Sequence, residues 1–346
     1  MNRTKKLIIM LLAILALAAC DNDEVTPAKV EDVDIYIAVN DWEEIDKGII
    51  YSAAGDTIYI TDDGCNIKQL AADGSDWFAV IVDDSRASHI IKNGQPLFST
   101  NQGVYDISVE NGNVYTLRYT SNNGSVEHEW VYKNQEQIYE IDCDEYFSVQ
   151  MVVENGHVSL APYYTSTPRY WQDGKYVDMQ GLEGPLEDCF IDKEGDNVLV
   201  GINAVSTDLN GYWLNGQFHE FNDYDISIRR VKLVNGKVVL AGSVVTGQGI
   251  GGLSSAPFIM VDGKEYRPEP LGGNIGGYAD RIIRYGNDFY VLSIGSLNQI
   301  FKNMEPIPLG YIEVKNEHLQ DVYGERINLA ELHQNIKDFI VLPERK

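Results

Sequence analysis

From residue 33 onward, apolar residues gather into short runs punctuated by tight-turn dipeptides. Asn113 to Tyr119, Asp196 to Ile202, Lys237 to Ser243 and Asp288 to Ser293 are rich in Val, Leu and Tyr and almost continuously apolar, as expected of strands covered on both faces. One class of turn recurs at Ala54-Gly55, Asn93-Gly94, Asn134-Gln135, Asp173-Gly174, Asn215-Gly216, Asp262-Gly263 and Asn303-Met304, with spacings of 39, 41, 39, 42, 47 and 41 residues. Asn-Gly and Asp-Gly supply the positive φ values that a two-residue hairpin demands. A second class is interleaved with it at Asp73-Gly74, Asn111-Gly112, Asn155-Gly156, Glu194-Gly195, Asn235-Gly236 and Tyr285-Gly286. Further strands lead into the first-class turns, as in Tyr212-Trp213-Leu214, and leave them, as in Gly216 to Phe221. Four antiparallel strands per period of about forty residues is the blade of a β-propeller.

The ends of the chain set the number of blades. Seven first-class turns against six of the second class leave one blade without its inner hairpin. Asp34 to Val39 matches the second strand of a blade with no first strand before it, and Asp338 to Leu342 matches inner strands such as Asp106 to Val109. The C-terminal strand is therefore expected to complete the first blade and close a ring of seven, which removes the exposed sheet edges of a linear array. A six-bladed ring is the alternative. Just before that strand, Asn328 to Asn335 carries an N-cap residue and apolar positions at Leu329 and Leu332, which predicts one short helix.

The chain of 346 residues is 44% hydrophobic and carries 27 Lys plus Arg against 52 Asp plus Glu, a formal charge of -25. The apolar content is ample for a core and excludes disorder over most of the length. The charge argues against nucleic acid as a partner and against adsorption to anionic lipid, both of which use clustered cations.

The first residues are of a different kind. Arg3, Lys5 and Lys6 precede an unbroken apolar run from Leu7 to Ala19, the charged and apolar regions of a secretory signal. That run is too short to span hydrocarbon about 30 Å thick, which takes roughly 20 residues. It ends in Leu17-Ala18-Ala19-Cys20, which resembles the bacterial lipobox, where the signal is cut before a cysteine that receives lipid. Asp21-Asn22-Asp23-Glu24 follows and resembles the acidic surface-export signal of Bacteroidetes lipoproteins. The domain reading is thus a signal peptide over residues 1–19, a lipidated Cys20 with an acidic tether over 20–32, and a propeller over 33–346. Loss of the signal removes three cations and no acid, so the charge becomes about -28. Acyl chains anchor a protein to a membrane without a spanning helix. The repeat text, roughly DIxVxNGxVYxxG followed by YWxNGxxxxL, resembles propeller-type surface lipoproteins of gut Bacteroidetes. That resemblance implies an outer-membrane lipoprotein, surface-exposed or periplasmic, and says almost nothing of activity. Cys65, Cys143 and Cys189 are an odd set without zinc spacing, so they allow at most one disulfide and are expected to be small buried residues.

Strand order places both tight-turn classes on one face of the disc and the longer loops on the other. Long loops on a rigid scaffold are where binding residues sit. They present Trp42, Tyr163, Tyr164, Tyr224 and Tyr278 among Asp83, Asp84 and Asp144. Aromatic faces beside carboxylates suit sugar rings, and equally a protein loop. Gly247 to Gly252 formally contains GxGxxG, but a strand-like run from Pro257 follows where a phosphate-binding helix is needed, so the segment reads as a flexible within-blade loop from Val244 to Ser255. No Ser/His/Asp arrangement or GxSxG elbow is present. Asp142 to Glu145 lacks calcium-loop spacing, and no cofactor or metal is expected. The expectation is a non-catalytic, lipid-anchored envelope protein that binds a glycan or protein partner on its long-loop face. The alternatives are a polysaccharide-active enzyme using channel-rim carboxylates and a structural component of an outer-membrane assembly.

Overall fold

A computed structural model of the chain describes residues 33–41, 47–122, 125–143, 146–203, 210–221, 226–249, 252–266, 277–295, 298–307, 309, 311–313, 326–329, 332 and 336–344. The chain opens with β1 (Val33–Asp41), β2 (Lys47–Ser52) and β3 (Thr57–Ile60). The second blade is β4 (Cys65–Asp73), β5 (Asp76–Asp83), β6 (Ser88–Lys92) and β7 (Gln95–Thr100). The third is β8 (Gly103–Glu110), β9 (Asn113–Asn122), β10 (Ser125–Lys133) and β11 (Glu136–Ile141). The fourth is β12 (Tyr146–Glu154), β13 (His157–Thr165), β14 (Arg169–Gln172) and β15 (Lys175–Asp178), with the short β16 (Leu186–Glu187) beside β13. The fifth is β17 (Cys189–Glu194), β18 (Asn197–Asn203), β19 (Asn210–Leu214) and β20 (Gln217–Glu220). The sixth is β21 (Ile226–Val234), β22 (Lys237–Gly249), β23 (Gly252–Val261) and β24 (Lys264–Tyr266), and the seventh is β25 (Tyr278–Tyr285), β26 (Asp288–Ile294), β27 (Gln299–Lys302) and β28 (Glu305–Ile307). A small hairpin of β29 (Tyr311–Glu313) and β30 (Arg326–Asn328) precedes β31 (Ile336–Pro343), which pairs antiparallel with β1.

Among the described residues the pairing therefore resolves into seven four-stranded antiparallel units, the first completed by the last strand. Inner strands pack in a closed circuit, β31 on β4, then β8, β12, β17, β21, β25 and back to β31. Seven hydrophobic clusters fill the seven junctions between neighbouring blades. The second strands show why their apolar runs are continuous. In β5, Trp77, Ala79 and Ile81 pack toward the first blade, while Phe78 and Val80 pack toward the third. Both faces of one strand are core, so a period-2 alternation has no solvent side to record.

The inner hairpins are of two kinds. Asn111-Gly112, Asn155-Gly156 and Asn235-Gly236 are the two-residue loops of blades three, four and six, with both residues at positive φ, the I′ pattern. In blades two, five and seven the pairing is shifted by one residue, so the loops are Gly74-Ser75, Gly195-Asp196 and Gly286-Asn287. Their glycines have φ of 58°, 60° and 56°, the II′ pattern with Gly first. Asn303 and Met304 both adopt positive φ without a glycine.

One expectation needs correction. The segment from Val244 to Ser255 is not a loop: β22 and β23 continue as a hairpin with Val244 opposite Ala256 and Gly249 opposite Gly252. Backbone pairing satisfies polar groups that a loop of this length would expose. Most of the short helix expected over Asn328 to Asn335 lies outside the described residues, and within them the Leu332 N–H donates to the Leu329 carbonyl at 3.3 Å. The three cysteines form no disulfide, and Cys189 is buried at the junction of blades four and five.

Candidate functional site

Six of the seven inner strands carry an extra residue. The pairing with the second strand skips Lys68, Tyr105, Val149, Arg229, Asp280 and Lys337. Each bulge bends the strand and re-aims two consecutive side chains. The bulged residues share one register position in the half of the ring nearer the long-loop face. The residues after them, Gln69, Asp106, Gln150, Arg230, Arg281 and Asp338, form the next tier inward.

That second tier is a set of latches. Asp106 accepts from the Met151 N–H (2.7 Å) of the next blade, Gln150 from Ile191 (2.9 Å) and Asp338 from Leu70 (2.8 Å). Asp192, two residues further along its strand, accepts from Leu233 (2.7 Å) and pairs with Lys232 at 2.6 Å. Arg281 contacts Asp338 at 2.9 Å as an ion pair, with its Nε–H not directed along the contact, and donates to the Leu70 carbonyl two blades away. At the other end of the channel, Arg284 donates to Glu194 Oε1 at 2.7 Å and lies 3.9 Å from Glu154. These inner carboxylates are occupied in holding blades together.

The tier toward the long loops is chemically different. Tyr105 stacks on Tyr119 with centroids 3.8 Å apart, meets Phe147 edge-on at 5.5 Å, and Phe147 meets Tyr163 edge-on at 5.3 Å. This aromatic arc runs from the second strand of blade three across two inner strands to the second strand of blade four, where Tyr163 is exposed. Gly103 makes the stack possible: a Cβ there would lie 2.3 Å from the Tyr119 ring. Lys68 from blade two places its ammonium 5.5 Å and 5.9 Å from the Tyr105 and Tyr119 ring centres. Lys68 is enclosed by protein yet open to water, as a channel-lining residue is, and burial pulls its pKa down against the pull of Asp106. Behind the arc, Glu129 is fully buried, and both carboxyl oxygens face the Ser148 N–H at 3.3 and 3.2 Å. Burial raises its pKa to about 8 despite that hydrogen bond, because an apolar surrounding penalises the charged form.

The residues expected to bind a ligand are dispersed around the ring. Tyr163 joins the arc, and Tyr164, its neighbour on β13, is also exposed at 45% and pairs with Glu187 of β16. Tyr278 opens β25 with the Arg229 guanidinium 3.9 Å over its ring. Asp83 organises its own loop, accepting from Ser85 Oγ (2.7 Å) and the Ala87 N–H (3.0 Å), with His89 Nε2 at 2.9 Å. The hydrogen bonds from Ser85 and His89 hold its carboxyl down at about 2. Asp84 is exposed and lies over Gly64, in the space a side chain there would fill. Cys20, Trp42, Asp144 and Tyr224 lie outside the described residues. Sequence reasoning missed Lys68, Tyr105, Tyr119, Glu129 and Phe147, which look like ordinary strand positions. The signal for the first two was a pair of adjacent polar or large residues at a fixed distance before the end of five inner strands: Lys68-Gln69, Tyr105-Asp106, Arg229-Arg230, Asp280-Arg281 and Lys337-Asp338.

No family model matches the chain, and no curated protein matches its sequence. The structure is similar to the β-propeller domain of the trilobed protease from Pyrococcus furiosus, at 12% identity and a TM-score of 0.49 over 76% of this chain and 86% of that one. It is similar to BamB from Moraxella catarrhalis, at 12% identity and 0.40 over 75% and 76%, and to AztD from Citrobacter koseri, at 9% and 0.43 over 91% and 99%. Likeness at this level concerns architecture and assigns no ligand or partner.

Proposed function

We propose that the protein is a lipid-anchored binding module of the cell envelope that takes a glycan on its long-loop face. The aromatic arc from Tyr119 to the exposed Tyr163, with Tyr164 beside it, is the observation that supports this reading. Sugar rings offer C–H faces to aromatic planes and hydroxyls to flanking polar groups, and an exposed aromatic anchored on a rigid strand loses little entropy on binding. The rest of the ring is committed to holding itself together, since Asp106, Asp192 and Asp338 are engaged by neighbouring blades. Anchoring rests on Leu17-Ala18-Ala19-Cys20 and on the acidic tether that follows. The test is titration of the mature chain against a panel of host and dietary oligosaccharides. Wild type is expected to bind at least one, with Tyr163→Ala and Tyr164→Ala weakening it about tenfold. A parallel arm grows cells with labelled fatty acid, which Cys20→Ser should fail to incorporate. A panel without a ligand, with capture of an envelope protein that both tyrosine variants weaken, would replace the glycan with a protein partner.

A further inference from the structure

Resting on that reading, we infer that the glycan is acidic, carrying a carboxylate that Lys68 seats beside the Tyr105–Tyr119 stack. The molecule carries a formal charge of -25, yet its inner strands carry Lys68, Arg229, Arg230, Arg281 and Arg284. Four of these are accounted for: Arg281 and Arg284 bind acids of other blades, Arg229 lies on Tyr278, and Arg230 donates to the Arg229 carbonyl and stands 3.9 Å from Asp280.

Lys68 is different. It donates to the Val104 carbonyl, which uses one of the three N–H bonds of an ammonium. Asp106, whose charge acts on Lys68, already accepts from the Met151 N–H, the Ile107 N–H and the Gln69 amide. The ammonium, open to water and held beside two phenol rings, has two further N–H bonds for water or a ligand, and burial lowers its pKa against the pull of Asp106. An ammonium beside the aromatic arc matches a ligand with an anionic group projecting from an apolar ring face. The negative exterior does not veto an acidic ligand, because charges further than about 8 Å are screened at physiological ionic strength while an enclosed contact is not.

The test uses a matched pair: a glucuronate-containing oligosaccharide and the same oligosaccharide with its carboxyl groups reduced to alcohols, titrated into the full mature chain. Wild type should prefer the acidic member by about tenfold or more. Lys68→Gln should bring the two within about twofold, and Lys68→Arg, which keeps the charge, should retain the preference. Equal affinity of wild type for both members, or an undiminished preference in Lys68→Gln, overturns the inference and leaves glycan binding intact. Binding of neither member, with no ligand found in the wider panel, overturns glycan binding as well. Tighter binding of a nucleotide than of any saccharide would assign the cation and rings to another class of anion.

Discussion

Glu129 is the residue whose environment departs furthest from its chemistry. It is an acid with no exposed surface, placed where β10 meets the start of β12, and burial holds it protonated up to about pH 8. An unfolded chain releases that proton near the ordinary carboxyl value of about 4.3. Between those limits the folded state binds one proton more than the unfolded state, so rising pH favours unfolding. The stabilisation is full below the unfolded value and is lost as pH climbs to about 8. Glu129→Gln keeps the shape and an oxygen for the Ser148 N–H and removes the titration. Chemical denaturation across pH 5 to 9 should show the two proteins converging in acid, with the variant more stable by roughly 2–4 kcal/mol at the alkaline end. Parallel stability profiles would refute the assignment. The sequence hid this site because Glu129 follows Ser125, Val126, Glu127 and His128, which are mostly exposed. Nothing local marks which glutamate faces the next blade, since that depends on a neighbour nineteen residues away.

At the scale of elements, the hairpins were the legible part. Turn type depends on φ at two residues, so Asn-Gly and Gly-first pairs declare themselves within a tetrapeptide, and apolar runs declare strands buried on both faces. The bulges were not legible as such, although they set the site by turning Lys68 and Tyr105 toward the channel. A bulge shows only as two neighbouring polar or large residues where alternation expects one, and its meaning emerges when the same offset recurs from blade to blade. One further pattern links turn type to the preceding blade. The I′ turns of blades three, four and six are each gripped by the acid that ends the inner strand before them. Asp73 accepts from the Gly112 N–H, Glu110 from Asn155 and Gly156, and Glu194 from Asn235 and Gly236. Successive N–H groups in a positive-φ turn make a concave anion site. For Glu194, burial pushes the carboxyl up, but the two turn N–H groups and Arg284 outweigh it and leave it low. Glu110→Ala should therefore cost about 1 kcal/mol and speed hydrogen exchange at the Asn155 and Gly156 amides. Unchanged exchange at both amides would show the grip to be idle.

For the whole molecule, the decisive contact is between the two ends of the described chain. Ile35, Ile37 and Val39 of β1 share a cluster with Ile336, Phe339 and Val341 of β31, and Tyr290, Leu292 and Ile300 of the seventh blade join them. On the other side, Ile340 and Leu342 pack with Ile67, Leu70 and Trp77 of the second blade. β31 is thus core to two junctions at once, and Asp338 adds a buried bond to the Leu70 N–H and an ion pair to Arg281. Repeat arrays draw their stability from nearest-neighbour interfaces, and in a ring every interface has two supports. Removing residues 336–346 opens the ring, bares the edge of β1 and leaves apolar surface of both flanking blades in water, which invites edge pairing between molecules. The truncated chain should lose the single cooperative unfolding transition and elute as aggregate. A synthetic peptide spanning the missing strand, added during refolding, should restore a monomer, because the strand brings its own inner-face and latch residues. A monomeric truncated chain with an unshifted melting temperature would mean that the ring is held by its other six blades, and that the last strand merely occupies a place already formed.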